Sequence, residues 1–479
     1  MARVLLTNAY FHRLDRKQWR DGRPYPPLGT LLAAAVLREA GHAVHVHDSG
    51  LARGPQDLLS ALHAHAPKVL VIQDDGFNYL TKMCLTVMRE ACLRMIALGK
   101  QQGCLVVVNS SDASDHPELY LKAGADAVVL GESEEALREL VEHWSAGTPW
   151  RSVANLVHRG PDGEVQRTPK RPVMRDLDAL PLPAWDLIDL TPYRRIWMRS
   201  QGRFSLNVAT TRGCPFKCNW CAKPIYGNRY NSRSPEHVVL EMELLRDRAA
   251  PDHLWMCDDI FGLKPGWVQR FADLVEERGV RIPYKIQSRV DLLLESDTID
   301  ALVRSGLEEV WVGAESGSQH ILDAMDKGTR VEQIAEATRL LKAKGVRVGF
   351  FLQFGYPGES DADVERTIRM VEDLMPHDIG VSISYPLPGT PFFERVRSEL
   401  GDKANWSDSD DLAMMFRGSR SPAYYKRLHR YVHARYRRRQ AVVALAQALR
   451  GGPTDLRRGF SLLYYQPAVL ANRIRLSVA

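Results

Sequence analysis

Thr211-Arg212-Gly213-Cys214-Pro215-Phe216-Lys217-Cys218-Asn219-Trp220-Cys221 sets three cysteines in C-x3-C-x2-C spacing. Three thiolates can hold three corners of a four-iron cluster and leave one iron without a protein ligand, whereas an electron-carrying cluster takes four cysteines. An open iron corner is useful only where something else must bind it. The competing reading is a tetrahedral zinc knuckle, which needs a fourth Cys or His close by. The next histidine, His237, lies sixteen residues past Cys221.

Working outward, residues 204–390 read as six strand–helix repeats. The strands fall at Ser205–Thr211, His253–Cys257, Pro283–Gln287, Glu309–Val312, Val346–Phe354 and Ile379–Tyr385, with helical patterns between them. The cysteines follow the carboxyl end of the first strand, the end at which barrel active sites sit. The other strands end at Asp258-Asp259, Ser288-Arg289, Glu315-Ser316, Phe354-Gly355-Tyr356 and Pro386–Thr390.

The first 150 residues alternate differently. Short apolar runs at Val4–Leu6, His42–His47, Val69–Ile72, Cys104–Val108 and Ala127–Leu130 are separated by helical patterns at 30–40, 55–65, Leu80–Gly99, Pro117–Gly124 and Glu134–His143. This is the pattern of a doubly wound parallel sheet, whose ligands bind past the strand carboxyl ends. Those ends carry Asn8–His12, Asp48–Gly50, Asp74–Asn78 and Asn109–Asp112. His45 and His47 share a strand face, where a solvated position is the default against a metal site, and Cys84 and Cys92 read as small buried hydrophobes.

The cysteine spacing, with Trp220 before the last cysteine, resembles the radical S-adenosylmethionine (SAM) superfamily. The N-terminal block resembles the cobalamin-binding domain placed before the radical domain in one class of it, through Pro26-Pro27-Leu28-Gly29, the strand spacing, and Gly124-Ala125-Asp126-Ala127 leading to Gly131-Glu132-Ser133-Glu134. The Asp-x-His-x-x-Gly motif that gives a histidine to cobalt is absent, and Asn109-Ser110 stands where two glycines are expected. The alternative for this block is a Rossmann-like domain that has lost its cofactor and only packs on the barrel.

The resemblance implies a fold and a set of cofactors. The fold is α/β, with a Rossmann-like domain at 1–150, a linker with a hairpin at 151–200, a partial (β/α)6 barrel at 201–395 and a helical cap at 396–479. The cofactors are a [4Fe-4S] cluster on Cys214, Cys218 and Cys221, SAM on its open iron, and cobalamin held without a protein histidine. One electron from the cluster then cleaves SAM to a 5'-deoxyadenosyl radical. SAM asks for acceptors for its ammonium, offered by Asp258 and Asp259, and a guanidinium for its carboxylate, offered by Arg289. Glu315 and Ser316 suit its ribose hydroxyls, Phe354, Gly355 and Tyr356 its adenine.

The implied activity is cobalamin-dependent methyl transfer to an unactivated carbon of a small molecule. One alternative is a radical oxidative cyclase like the anaerobic Mg-protoporphyrin ester cyclase. Another, of a different class, is a non-catalytic iron–sulfur protein for electron transfer or sensing. A flavodoxin or ferredoxin is the expected electron donor.

The bulk numbers fit these readings. The 479 residues suggest several domains. A net charge of +6 does not by itself argue for nucleic acid. Seven cysteines, three of them clustered, make no disulfide framework and point to a reducing cytoplasm. No apolar run reaches the length of a membrane span. The most basic stretch, Lys426, Arg427, Arg430, Arg435 and Arg437–Arg439, alternates with Tyr424, Tyr425, Tyr431 and Tyr436. It reads as a solvated helix face in a cap over the barrel mouth, with Met414, Met415 and Phe416 as candidate substrate contacts. Helices are expected at Trp406–Phe416 and Ser421–Arg439.

Overall fold

The computed structural model describes residues 1–77, 85–223, 225–401, 405–407, 409, 416–418, 420–449 and 456–477. Asn78, Leu80, Cys84, Met414 and Met415 lie outside the described residues, as does most of the expected helix Trp406–Phe416.

Two sheets carry the fold. The first contains β1 (Arg3–Thr7), β2 (Ala43–His47), β3 (Val69–Gln73), β4 (Leu105–Asn109) and β5 (Ala127–Val129), all parallel. The hairpin β6 (Leu156–Arg159) and β7 (Val165–Arg167) continues the same sheet antiparallel, in the order β2-β1-β3-β4-β5-β6-β7. The parallel strands are nearly continuous Val/Leu/Ile runs because helices bury both faces. Leu28–Glu39 and Glu134–Ala146 cover one face, and Leu58–His65 and Thr86–Gln101 the other. Each fully buried Val or Leu contributes roughly 1.5–3 kcal/mol.

Besides the expected hairpin, the connector holds a helix, Thr191–Gln201. Trp185 and Tyr193 pin it between the two units. Trp185 Nε1 donates to Glu241 Oε1 (3.0 Å) and the Tyr193 hydroxyl to Asp48 Oδ2 (2.6 Å). One hydrophobic core runs from Leu28, Leu31 and Phe77 through these residues into the second sheet.

That sheet begins with β8 (Ser205–Val208). A short ribbon of β9 (Thr211–Arg212) and β10 (Asn231–Ser232) follows, then β11 (His253–Met256), β12 (Tyr284–Ser288), β13 (Leu307–Glu315), β14 (Arg347–Phe354) and β15 (Asp378–Ile383). The six long strands are parallel and lie in chain order, with β8 and β15 as edges. The barrel is therefore partial and open.

Its open side is met by the first domain. Asn207 Nδ2 donates to the Pro26 carbonyl (3.1 Å), and the Tyr25 ring stands edge-on to Trp197 and 4.8 Å from Trp255.

The basic helix runs from Pro422 to Leu449. Its first turns reach the barrel rim, where Tyr425 covers Gly355. The rest docks along the helix Asp361–Leu374. Arg435 is not a solvated charge: it grips Glu365 (3.0 Å) and Glu372 there. The four interleaved tyrosines are buried, as core packing requires. Between barrel and cap, Trp406 packs edge-on to Tyr385 (4.3 Å), and its carbonyl accepts from the Thr86 amide (2.8 Å). Among the described residues no helix is long and apolar enough to cross a membrane.

Candidate functional site

The cysteine loop leaves β9 and returns through β10, and this ribbon closes its neck. Gly213 is at φ +75°, and a Cβ there would collide with the Arg229 carbonyl, so the turn into Cys214 requires glycine. Cys214, Cys218 and Cys221 are free and half-buried. Burial pushes the Cys221 thiol up to about 11, with the Lys223 ammonium opposing, and the same two causes act on Cys214. The three sulfurs lie near enough to influence one another electrostatically. Among the described residues no three His, Cys, Asp or Glu side chains gather as a single metal ion would need.

Asn219, between the second and third cysteines, is the residue that sequence reasoning missed. It is 2% exposed. Its amide and Nδ2 donate to the carbonyls of Met325 (3.1 Å) and Ala324 (2.8 Å), and Nδ2 also to Asp326 (2.8 Å). Its Oδ1 accepts from the Tyr356 hydroxyl (2.6 Å) and its carbonyl from the Phe392 amide (3.0 Å). The loop is thus anchored to barrel segments more than a hundred residues downstream. Trp220 packs on the barrel core, and its Nε1 is buried without a partner.

Several of the residues read as SAM contacts are engaged within the protein. Asp258 is buried and accepts from the amides of Thr210 and Thr211 (both 2.7 Å) and from the Thr210 hydroxyl (2.8 Å). Burial raises its pKa to about 6 against those bonds. It fixes the strand that leads into the loop and does not face a ligand. Arg289 is taken up by Asp291 (2.9 Å) and the carbonyls of Lys327 (2.8 Å) and Gly328, and it stacks 3.7 Å over the Phe216 ring. It supports the cysteine loop from below instead of offering its fork to a carboxylate.

Ser316 is fully buried and bonds Thr367 and the Ser318 amide. Phe354 is core, Gly355 lies under Tyr425, and the Tyr356 hydroxyl holds Asn219.

Asp259 and Glu315 are placed differently. Asp259 is exposed, and its charge bears on Cys214 and Cys221. Glu315, held at φ +56°, pairs with the buried Lys327 (2.8 Å), whose ammonium acts on Cys218.

The first sheet is tied to this loop through Arg212, two residues before Cys214. Its guanidinium, 3% exposed, donates to Glu134 (2.6 and 3.2 Å) and Glu132 (3.3 Å), and lies against the rings of Phe77 and Tyr226. Past the ends of β1, β3 and β4 lies a pocket lined by Ala9, Tyr10, Asp74, Ser110, Asp112 and Tyr120, with Met88, Arg89 and Cys92 from the facing helix. Arg89 grips Asp112 through two bonds (2.6 and 2.5 Å), and the Ala9 amide donates to Asp74 (2.6 Å). Burial lifts Asp74 to about 7. No histidine lines the cavity among the described residues. Asn109 fills the position expected of glycine, bonding Gln73 and the carbonyls of Val129 and Gly131. Away from both sites, His45 stacks on His65 at 3.8 Å.

Comparison with known proteins agrees with this geometry. The family described as "Radical SAM superfamily" matches residues 208–371, and the one described as "B12 binding domain" matches residues 21–141. The chain is 28% identical over 390 residues to an uncharacterized methyltransferase of Pyrococcus horikoshii, covering 80% of this chain and 82% of the relative. It is 29% identical over 287 residues to the anaerobic magnesium-protoporphyrin IX monomethyl ester cyclase of Rubrivivax gelatinosus, covering 59% of this chain and only half of the cyclase. The solved radical S-adenosylmethionine methyltransferase TsrM of Kitasatospora setae, with cobalamin and a [4Fe-4S] cluster bound, shares the fold. The TM-score is 0.69 at 20% identity, over 83% of this chain and 78% of TsrM.

Proposed function

We propose, of a chain that belongs to the radical SAM superfamily in its cobalamin-binding class, that it is an enzyme moving a methyl group from SAM, by way of cobalamin, to an unactivated carbon of a small molecule. The observation that carries this reading is the coupling of the two sites. The residue that enters the cysteine loop, Arg212, is locked to the Gly131–Glu134 turn of the B12-type sheet by a buried ion pair. A cofactor at those strand ends therefore works beside the cysteines.

Bound there, the cluster supplies one-electron cleavage of SAM and cobalamin a carrier for its methyl group. The chain's own residues do the holding. Cys214, Cys218 and Cys221 would ligate three irons, and Asn219 and Arg289 keep that loop from moving. Asp259 is the acceptor for the SAM ammonium and Glu315, set by Lys327, for ribose hydroxyls. Trp220 walls the loop.

Tyr10, Asp74, Ser110 and Asp112 would hold part of the cobalamin. With no histidine on that cavity, electron paramagnetic resonance (EPR) spectra of the Co(II) form should lack nitrogen superhyperfine splitting from the protein. A nitrogen triplet that survives cobalamin stripped of its own base would refute this. An electron donor of the flavodoxin or ferredoxin kind, in a reducing cytoplasm, completes the reading.

The identity to the cyclase keeps oxidative ring closure as a second reading. The two differ in products. Methyl transfer consumes SAM twice and yields S-adenosylhomocysteine and 5'-deoxyadenosine near parity, whereas oxidation yields deoxyadenosine alone. Methyl-labelled SAM, reductant and host extract are incubated anaerobically with the loaded chain, and both products are counted. Label entering a small molecule at parity is the expected result. Deoxyadenosine alone, with a substrate consumed, would transfer the assignment to the cyclase type.

A further inference from the structure

We infer that the concave face of the six-stranded sheet receives a flat aromatic molecule carrying a carboxylate, with Trp311 and Phe351 against its ring and Lys285 at its charge. The inference rests on the reading above, that the chain acts on a small molecule at this sheet, and adds the substrate's class.

Strand alternation divides the sheet's side chains between two faces. Val310, Val312, Phe350, Leu352 and Ile379 go to the helix-covered core. The opposite set, Gln287, Trp311, Phe351 and Ser382, is not sealed. Phe351, at 36% exposure, is the one large hydrophobic that any described strand leaves exposed.

The ring faces are built to be presented. Gly349 pairs with Trp311 across β13 and β14, and a Cβ on it would sit 2.5 Å from the indole Cδ2. Gly380 pairs with Phe351 across β14 and β15, and a Cβ there would meet both Phe351 and Trp311 at 3.4 Å. Two glycines on neighbouring strands thus clear the floor for the indole to lie across them. Its Nε1 donates to Glu309 (2.6 Å), which Arg347 holds from the other side (3.4 Å), so the ring cannot turn. The Phe351 ring stands 4.8 Å away, tilted 33°. Rings fixed at the edge and exposed on the face suit stacking with another flat ring.

Charge supplies the second half. The Lys285 ammonium lies between the rings of Trp255 (4.9 Å) and Tyr25 (5.4 Å). Among the described residues no carboxylate pairs with it at salt-bridge distance, since Glu309, its register neighbour, is engaged by Arg347 and Trp311. Burial lowers its pKa to about 8 against the pull of the Glu309 carboxylate, so it is charged at neutral pH, and Arg23 and Arg203 add to the positive potential. Lys285 on β12 and Trp311 on β13 are diagonal neighbours across the strand pair, since Lys285 pairs with Glu309 and Gln287 with Trp311; that is roughly 7–8 Å between backbones, a distance that an aromatic ring with a short acidic arm spans. This face of the sheet therefore sets two presented rings beside a cation with no carboxylate at salt-bridge distance.

The test is calorimetric titration of the anaerobically reconstituted full chain with three probes: indole-3-acetate (flat and charged), indole (flat and neutral) and cyclohexylacetate (charged, not flat). Indole-3-acetate should bind at least tenfold more tightly than either. Phe351→Ala and the bulk-preserving Phe351→Leu should each lose at least fivefold, and Lys285→Met should bring indole-3-acetate down to the level of indole. Equal affinities, no binding to the wild type, or full affinity in the variants would overturn the inference. Iron content and deoxyadenosine formation are measured on the same wild-type preparation. A chain that holds iron and cleaves SAM but shows no probe preference loses this inference alone, whereas one that does neither loses the functional reading.

Discussion

Cys218→Ala leaves the reconstituted chain with iron near background, against about four irons per chain in the wild type. It also loses the EPR signal of the reduced cluster and at least a hundredfold of deoxyadenosine formation. The reason is local. Three thiolates are the minimum that holds a four-iron cluster, and no other described cysteine can replace one. Cys92, Cys104 and Cys257 are 3%, 1% and 3% exposed, and Cys257 faces the Val208 carbonyl within the sheet. The loop itself should survive, because Asn219 and its five hydrogen bonds hold it without the cluster. Circular dichroism should therefore match the wild type while the iron is gone. A Cys218→Ala chain that keeps wild-type iron and EPR signal would end the cluster assignment.

Arg212→Met should destabilise by about 3–5 kcal/mol, the usual cost of removing one partner from a buried ion pair. Glu132 and Glu134 would be left desolvated at the junction of the two sheets, where burial already raises the Glu132 carboxyl. Neutralising them as well, in Arg212→Met with Glu132→Gln and Glu134→Gln, should recover more than half of the loss, because unpaired charge and not missing volume is the main cost. Anaerobic unfolding in urea, followed by fluorescence and iron release, reads both variants. A single variant that unfolds with the wild type would mean that the pair does not couple the sheets.

How much of this could be seen in advance divides by range. Cysteine spacing, strand periodicity and the order of six repeats are local, and the open sheet follows them strand by strand. The helix Thr191–Gln201 was legible too, since Pro192 in its first turn and Gly202 at its αL end are start and stop signals, though the linker was expected to hold only a hairpin.

Side-chain roles were harder, because ligand and strut use the same chemistry. Asp258 and Asp259 are neighbours with the same side chain, and the irregular turn after β11 sends one under the Thr210–Thr211 backbone and leaves the other exposed. Arg289 and Tyr356 have the groups that SAM would want, yet Asp291 and Asn219 claim them. Asn219 gave no periodic or compositional signal, since its partners lie more than a hundred residues downstream. The arginines of the terminal helix looked solvated for the same reason: Glu365 and Glu372 are over sixty residues away.

The loop that carries Tyr25 into the open side of the barrel has a consequence for assembly during synthesis. Tyr25 leaves the ribosome 180 residues ahead of Ser205, the first barrel strand. The last strand of the first sheet, ending at Arg167, still leads Ser205 by 38 residues, at the usual pace of translation roughly 2–8 s, long compared with the folding time of a small domain. The first sheet can be complete, with residues 24–27 already presented, before β8 and β11 exist. Asn207, Trp255 and Lys285 then find Pro26 and Tyr25 waiting. The nascent first domain acts as the template on which the second closes, and the six-stranded sheet is finished by a wall it does not encode.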